Sequence, residues 1–189
     1  MTVTLIVAIQ TWIGLSTDTK PSAPPVGSTF YETDSGATHV YDGSAWQQKL
    51  SIGGYRAIKT LVFTGAAGLG AVGAVPLFTV TGEVLISVIV PFCTVNLGEA
   101  APGATLALGV VGATTLLIAA TIVLDIDANE FWVDTTPDAN GVAVPAALKD
   151  IVITDNIIGT AAVADVNAGA IRFTVYWVPV SADGNVVAA

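Results

Sequence analysis

Apolar and polar residues alternate along much of the second half of the chain, which is the pattern of half-buried β-strands. In residues 171–177 the odd-numbered positions are Ile, Phe, Val and Trp, whereas the even-numbered positions are Arg, Thr and Tyr. Because successive side chains of a strand point to opposite faces, this segment predicts a strand with one apolar face. Turns rich in Gly, Pro, Asn and Asp separate further strand candidates, which are residues 60–63, 77–80, 84–90, 104–111, 115–123, 131–133 and 151–153.

This series of short strands, with few helical segments, predicts an all-β domain over residues 55–189. Such spacing is typical of a β-sandwich or barrel. We expect a jelly roll, and an immunoglobulin-like β-sandwich is the alternative. The glycine-rich segment 65–74 has no helical period, which indicates a loop between two strands. We expect residues 182–189 to form a short tail.

Residues 27–54 predict a small β-meander that precedes this domain. Strand candidates at 28–33 and 37–41 are joined by a turn that contains Gly36, and a second turn leads to a third strand from residue 45. Strands this short are marginal alone, so we expect the meander to pack against something larger. Its aromatic core is predicted to consist of Phe30, Tyr41 and Trp46.

Residues 1–26 predict an extended N-terminal arm. Residues 2–8 are rich in β-formers, and three prolines within residues 21–25 favour a semi-rigid, extended chain. Large apolar side chains would be unfavourable on a free tail, so we expect the arm to lie on a partner, although a flexible tail is the alternative. The predicted contact residues are Leu5, Ile6, Trp12, Ile13, Pro21, Pro24 and Pro25.

Residues 106–124 form an apolar run long enough for a membrane-spanning helix. No basic residue occurs between Lys59 and Lys149 to orient such a span, and glycines interrupt the run. We therefore predict two strands joined by a turn at 111–113, and no membrane association. The N-terminal residues also lack the early Lys or Arg of a signal peptide, so none is expected.

The composition indicates a subunit that buries surface against partners. Hydrophobic residues make up 53% of the 189 residues and charged residues only 11%, whereas about 25% charged residues are usual in soluble domains. Six Lys and Arg against 15 Asp and Glu give a net charge of -9. This balance excludes a basic face for nucleic acid and disfavours anionic lipid surfaces. A homo-oligomer is expected, and a trimer would fit the local threefold positions of a capsid.

Groups for catalysis or metal binding are scarce. His39 is the single histidine and Cys93 the single cysteine, so a Ser-His-Asp triad, a zinc site and an internal disulfide are all disfavoured. Cys93 is predicted to be a small buried hydrophobe. The glycines of residues 65–73 are not followed by the Lys-Ser/Thr of a phosphate-binding loop. We expect no enzymatic activity, no cofactor and no metal.

The acidic residues after position 124 are the remaining candidate for a ligand site. An EF-hand loop that began at Asp125 would need Gly at its sixth position and Glu at its twelfth. Glu130 and Thr136 occupy those positions. The segment therefore predicts a polar turn between strands, with calcium binding in another geometry as the alternative.

Several segments resemble proteins of tailed bacteriophages. Residues 14–21, 26–36 and 40–46 resemble a small β-module that recurs in virion proteins of tailed phages and prophages. Segments of the second half resemble uncharacterised phage structural proteins; these are residues 63–70, 125–130 and 181–187.

The resemblance implies a virion component without a catalytic motif, and it does not define the position on the particle. We expect a capsid cement or decoration protein that contacts the major capsid protein or other virion proteins. The alternative is a tail, baseplate or head-fibre component that binds a host-surface glycan.

Overall fold

The N-terminal part of the chain, before Tyr55, forms a small four-stranded sheet in the order β1-β2-β3-β4. The computed structural model describes residues 9–49 and 54–189, and the chain divides between Gly54 and Tyr55 into two compact units. Leu5 and Ile6, both predicted contact residues, lie outside the described residues. The strands of the small sheet are β1 (Thr11–Gly14), β2 (Thr29–Glu32), β3 (Thr38–Tyr41) and β4 (Trp46–Lys49).

Strands β2, β3 and β4 form an antiparallel meander, as the turn residues predict. Gly36 and Gly43 in the two turns have φ values of 72° and 106°, which glycine adopts without strain. Strand β1 pairs in parallel with β2, so that Trp12 lies beside Phe30. Part of the predicted arm therefore belongs to the small sheet.

The second unit contains two antiparallel sheets. One has the strand order β10-β7-β12-β5 and the other has the order β13-β6-β11-β8-β9. The described residues contain no α-helix, which confirms the all-β prediction. The strands are β5 (Tyr55–Val62), β6 (Gly73–Thr81), β7 (Val84–Glu99), β8 (Thr105–Val110), β9 (Ala113–Ile122), β10 (Lys149–Ile153), β11 (Ile157–Ala162), β12 (Val166–Pro179) and β13 (Asn185–Ala188).

Both sheets contribute to a single buried cluster. The alternating apolar residues of 171–177 enter it from β12, and Leu77 and Leu108 enter it from the five-stranded sheet. Trp132, from the long segment between β9 and β10, is fully buried in the same cluster. Burial of apolar area from two sheets in one core, at about 25 cal/mol per Å², is the main stabilising term for such a unit.

The apolar run 106–124 folds as β8 and β9 with a turn between them, as predicted. Across the part of the chain that the structure describes, no helix has the length and apolar character that crossing a membrane requires.

Three segments differ from the sequence-based prediction. Residues 131–133 are not a strand, because Phe131 forms only isolated bridges. The backbone N–H of Trp132 donates to the carbonyl of Pro91, and its indole donates to the hydroxyl of Thr121. Residues 157–162 form the unpredicted strand β11, whose Gly and Ala residues have low β-propensity but pair on both edges, with β6 and β8. Residues 185–188 form β13 on the edge of β6, where a tail was expected.

Candidate functional site: an interaction surface in the N-terminal unit

One face of the small sheet packs aromatic side chains around Trp46. The ring centroids of Trp12, Phe30 and Tyr41 lie 5.8 Å, 6.2 Å and 5.5 Å from that of Trp46. The predicted aromatic core of the meander is therefore confirmed, and Trp12 joins it from the arm. Edge-on and tilted ring pairs of this kind add to the stabilisation that comes from apolar burial.

The proline segment is attached to this aromatic face. The indole Nε1 of Trp46 donates a hydrogen bond to the carbonyl of Pro21 at 2.9 Å. The backbone N–H of Ser28 donates to the carbonyl of Pro25 at 3.1 Å, and Pro24 is buried. The segment is thus a strap tied to the small sheet.

A buried carboxylate ties the strap a second time. Oε1 of Glu32 lies 2.7 Å from Lys20 Nζ and 2.8 Å from His39 Nε2, although the histidine contact is not aligned as a hydrogen bond. Burial raises the pKa of Glu32, but hydrogen bonds from Lys20 and Ser35, together with the nearby positive charges, outweigh burial and leave the pKa below its ordinary value. The ammonium group of Lys20 also lies 5.0 Å from the centre of the Phe30 ring. The arrangement is an ion cluster that fixes Lys20, at the start of the strap, to strands β2 and β3.

The opposite face of the small sheet exposes apolar side chains. Ile13 is 71% exposed and lies beside the exposed Tyr31 in the parallel β1–β2 register. Next to them, the hydroxyls of Thr11 and Thr29 hydrogen bond at 3.2 Å. The flanking residues Ile9, Leu15 and Val26 are also exposed. We call Ile9, Ile13, Leu15, Val26 and Tyr31 the arm surface.

The predicted contact residues are thereby separated into two groups. Ile13 lies on the arm surface, whereas Trp12 and Pro24 pack within the unit, and Pro21 and Pro25 are half-buried. Trp12 is on the inner face because it alternates with Ile13 along β1. Tyr31 was not predicted as a contact residue, although its position in the alternating segment 28–33 places it opposite the buried Phe30.

Two further candidates lie in the second unit. Cys93 is buried, as predicted; burial raises the pKa of its thiol to about 11, so the reactive thiolate is suppressed. In the acidic segment, Asp127 Oδ1 accepts a hydrogen bond from Asn96 Nδ2 at 2.9 Å, and Glu130 Oε2 accepts one from the Asp127 backbone at 3.1 Å. These carboxylates order the turn. Among the described residues, no three His, Cys, Asp or Glu side chains are grouped to hold a metal ion.

Comparison of the chain with family models, with curated proteins and with solved structures finds no match.

Proposed function

We propose that this protein is a structural component of a tailed-phage virion, and specifically a capsid cement protein whose N-terminal unit contacts the head lattice. The observation that carries the proposal is the arm surface, whose large apolar side chains stay exposed although β1 is paired with β2 and two anchors fix the strap to the small sheet. A partner that covers these residues removes their apolar surface from water, which stabilises the complex, and clustered exposed apolar residues are typical of interaction sites.

The second unit suits a particle surface, and we infer that it is a jelly roll. If β5 to β12 are counted as strands one to eight, the sheet orders are 6-3-8-1 and 2-7-4-5, with β13 added at one edge. First and eighth, second and seventh, third and sixth, and fourth and fifth strands are neighbours, as nested Greek keys require. An immunoglobulin-like sandwich would place the first two strands in one sheet, whereas β5 and β6 lie in different sheets.

Binding to purified capsids that lack the protein tests the proposal. Full burial of a side chain such as Ile13 stabilises a complex by about 1.5–3 kcal/mol. Ile13→Asp should therefore weaken capsid binding about tenfold or more. Val163→Asp is the matched control, because Val163 is 75% exposed but lies in the second unit. Equal binding by the two variants would contradict a role for the arm surface.

The copy number of the protein in purified virions tests the location. A cement protein is present in numbers that match the capsid lattice. A handful of copies per particle would instead indicate the tail, baseplate or head-fibre alternative. Absence of the protein from purified virions would refute the structural role altogether.

A further inference from the structure

The outer face of the four-stranded sheet, which we call the cationic face, combines apolar and basic side chains. The strand registers place outward-pointing residues of adjacent strands in rows across the sheet. Val62 and Val152, near its two edges, are 57% and 58% exposed. Three of these rows are Phe92–Arg172–Thr60, Val90–Thr174–Ile58 and Lys149–Val88–Tyr176–Arg56.

Three basic residues from three different strands lie on the cationic face. Arg56, Lys149 and Arg172 occupy outward positions in the paired rows, and no carboxylate does. Asp150, which is exposed on β10 beside Lys149, is not part of these rows. The Arg172 guanidinium stacks 5.3 Å from the centre of the Phe92 ring. Within the described residues, no Asp or Glu lies within 4.0 Å of any of the three cations.

Acidic residues lie elsewhere in the same unit. Residues 55–189 contain eleven Asp and Glu against four Lys and Arg. Nine of the eleven lie in the loops between strands, and the other two are Glu99 at the last position of β7 and Asp150, which has a φ of 57° beside Lys149. Basic side chains thus lie on strands, whereas nine of the eleven acidic residues lie in the loops between strands.

One acidic segment is continuous with an edge strand that carries no charge. Strand β9 is the last strand of its sheet, and no charged residue occurs between residues 101 and 124. The other sheet edges are either short, as in β13, or carry Lys and Arg, as in β5 and β10. Long, uncharged edges are rarely left open to solvent in native proteins.

At the end of β9 and directly after it, the chain exposes both apolar and acidic groups. Ile122 and Leu124 are exposed apolar residues, and the exposed carboxylates of Asp125 and Asp127 follow them directly. We call residues 122–127 the acidic edge. Its chemistry complements the cationic face, because the acidic edge combines exposed aliphatic side chains with carboxylates, whereas the cationic face combines them with three basic residues.

We propose that the cationic face of one subunit binds the acidic edge of a second copy of this chain. A two-fold, face-to-face dimer would oppose three cations with three cations and is disfavoured. A contact between two different surfaces of the same chain is head-to-tail, and it closes into a ring when its rotation permits. We expect a ring of three, because a trimer fits the local threefold positions of a capsid. The number of subunits therefore rests on the proposed function, whereas the head-to-tail contact does not.

Sedimentation velocity and light scattering of the full chain test this assembly. The wild-type protein should give a mass of three times 19.1 kDa. Reversing one interfacial charge, in Arg172→Glu or in Asp125→Lys, should weaken association about tenfold or more. The double variant Arg172→Glu/Asp125→Lys should recover association, since every interface then regains an opposite-charge pair.

Two variants are matched controls. Arg172→Lys keeps the charge and should assemble. Asp155→Lys makes the same charge change as Asp125→Lys, but Asp155 lies at the opposite end of the five-stranded sheet, where the carbonyl of Asn156 accepts a hydrogen bond from Val111 at 3.1 Å. Far-UV circular dichroism establishes that each variant is folded.

Three results would overturn the proposal. The first is a wild-type chain that stays monomeric at about 0.1 mM. The second is a double variant that assembles no better than the single ones. The third is a dimer that Arg172→Glu leaves unchanged. The experiment contains no capsid, so its failure leaves the arm-surface proposal intact, and the capsid-binding test can fail without affecting it.

Discussion

The contact between Trp132 and Thr121 is expected to anchor the long segment that connects β9 to β10. The indole Nε1 of Trp132 donates to Thr121 Oγ1 at 3.0 Å, and both side chains are buried. A buried polar group that loses its partner costs about 1–3 kcal/mol. We therefore expect Trp132→Phe and Thr121→Val each to lower the free energy of unfolding of the second unit by about that amount.

The double variant gives the sharper test, because it removes both the donor and the acceptor of this hydrogen bond. The Thr121 hydroxyl also donates to the Ala119 carbonyl at 3.2 Å, and that bond is lost in Thr121→Val and in the double variant alike. The loss in the double variant should be smaller than the sum of the two single losses by about 1 kcal/mol. Equilibrium unfolding in urea, followed by far-UV circular dichroism on the full chain, measures all four free energies. If the free energy lost in the double variant equals the sum of the two single losses within about 0.3 kcal/mol, the hydrogen bond does not couple the two side chains.

Three further predictions concern single residues. Because the pKa of Glu32 is lowered on folding, its contribution to stability is present above its ordinary pKa of 4.5 and is lost as the pH falls through the lower folded value. Thermal unfolding as a function of pH should show this acid loss for the wild type, and Glu32→Gln should remove it and cost about 1–3 kcal/mol. The buried Cys93 thiol, with its pKa raised to about 11, should resist Ellman's reagent in buffer and react fully in urea; rapid labelling of the native protein would contradict its burial. Val163, a β-branched residue with a φ of 70°, is strained, so Val163→Asn should raise stability by about 1 kcal/mol, and an unchanged or lower melting temperature would count against strain at this position.

The local pattern predicts elements that act through their own neighbours. The alternation in residues 171–177 identifies the central strand β12, and the glycine turns at Gly36 and Gly43 identify the meander. It misses β11, because Gly159 and Ala161 have no local preference for a strand and are held there by strands on both sides.

The arm illustrates the same limit at the candidate site. Prolines and apolar residues indicate an extended segment that contacts something. They do not distinguish Ile13, which is exposed, from Trp12, which packs against Trp46 from a distant part of the chain. That distinction depends on the parallel pairing of β1 with β2, which no local pattern predicts.

The sequence by itself determines that this protein is all-β, that it is poor in charge, and that it has few groups for chemistry. Only the tertiary structure decides which strands share a sheet, and therefore that Arg56, Lys149 and Arg172 lie on one face. These residues are far apart in sequence, and their alignment follows from strand register. Register is set by burial of the apolar faces in a common core, which is a property of the whole chain rather than of any segment.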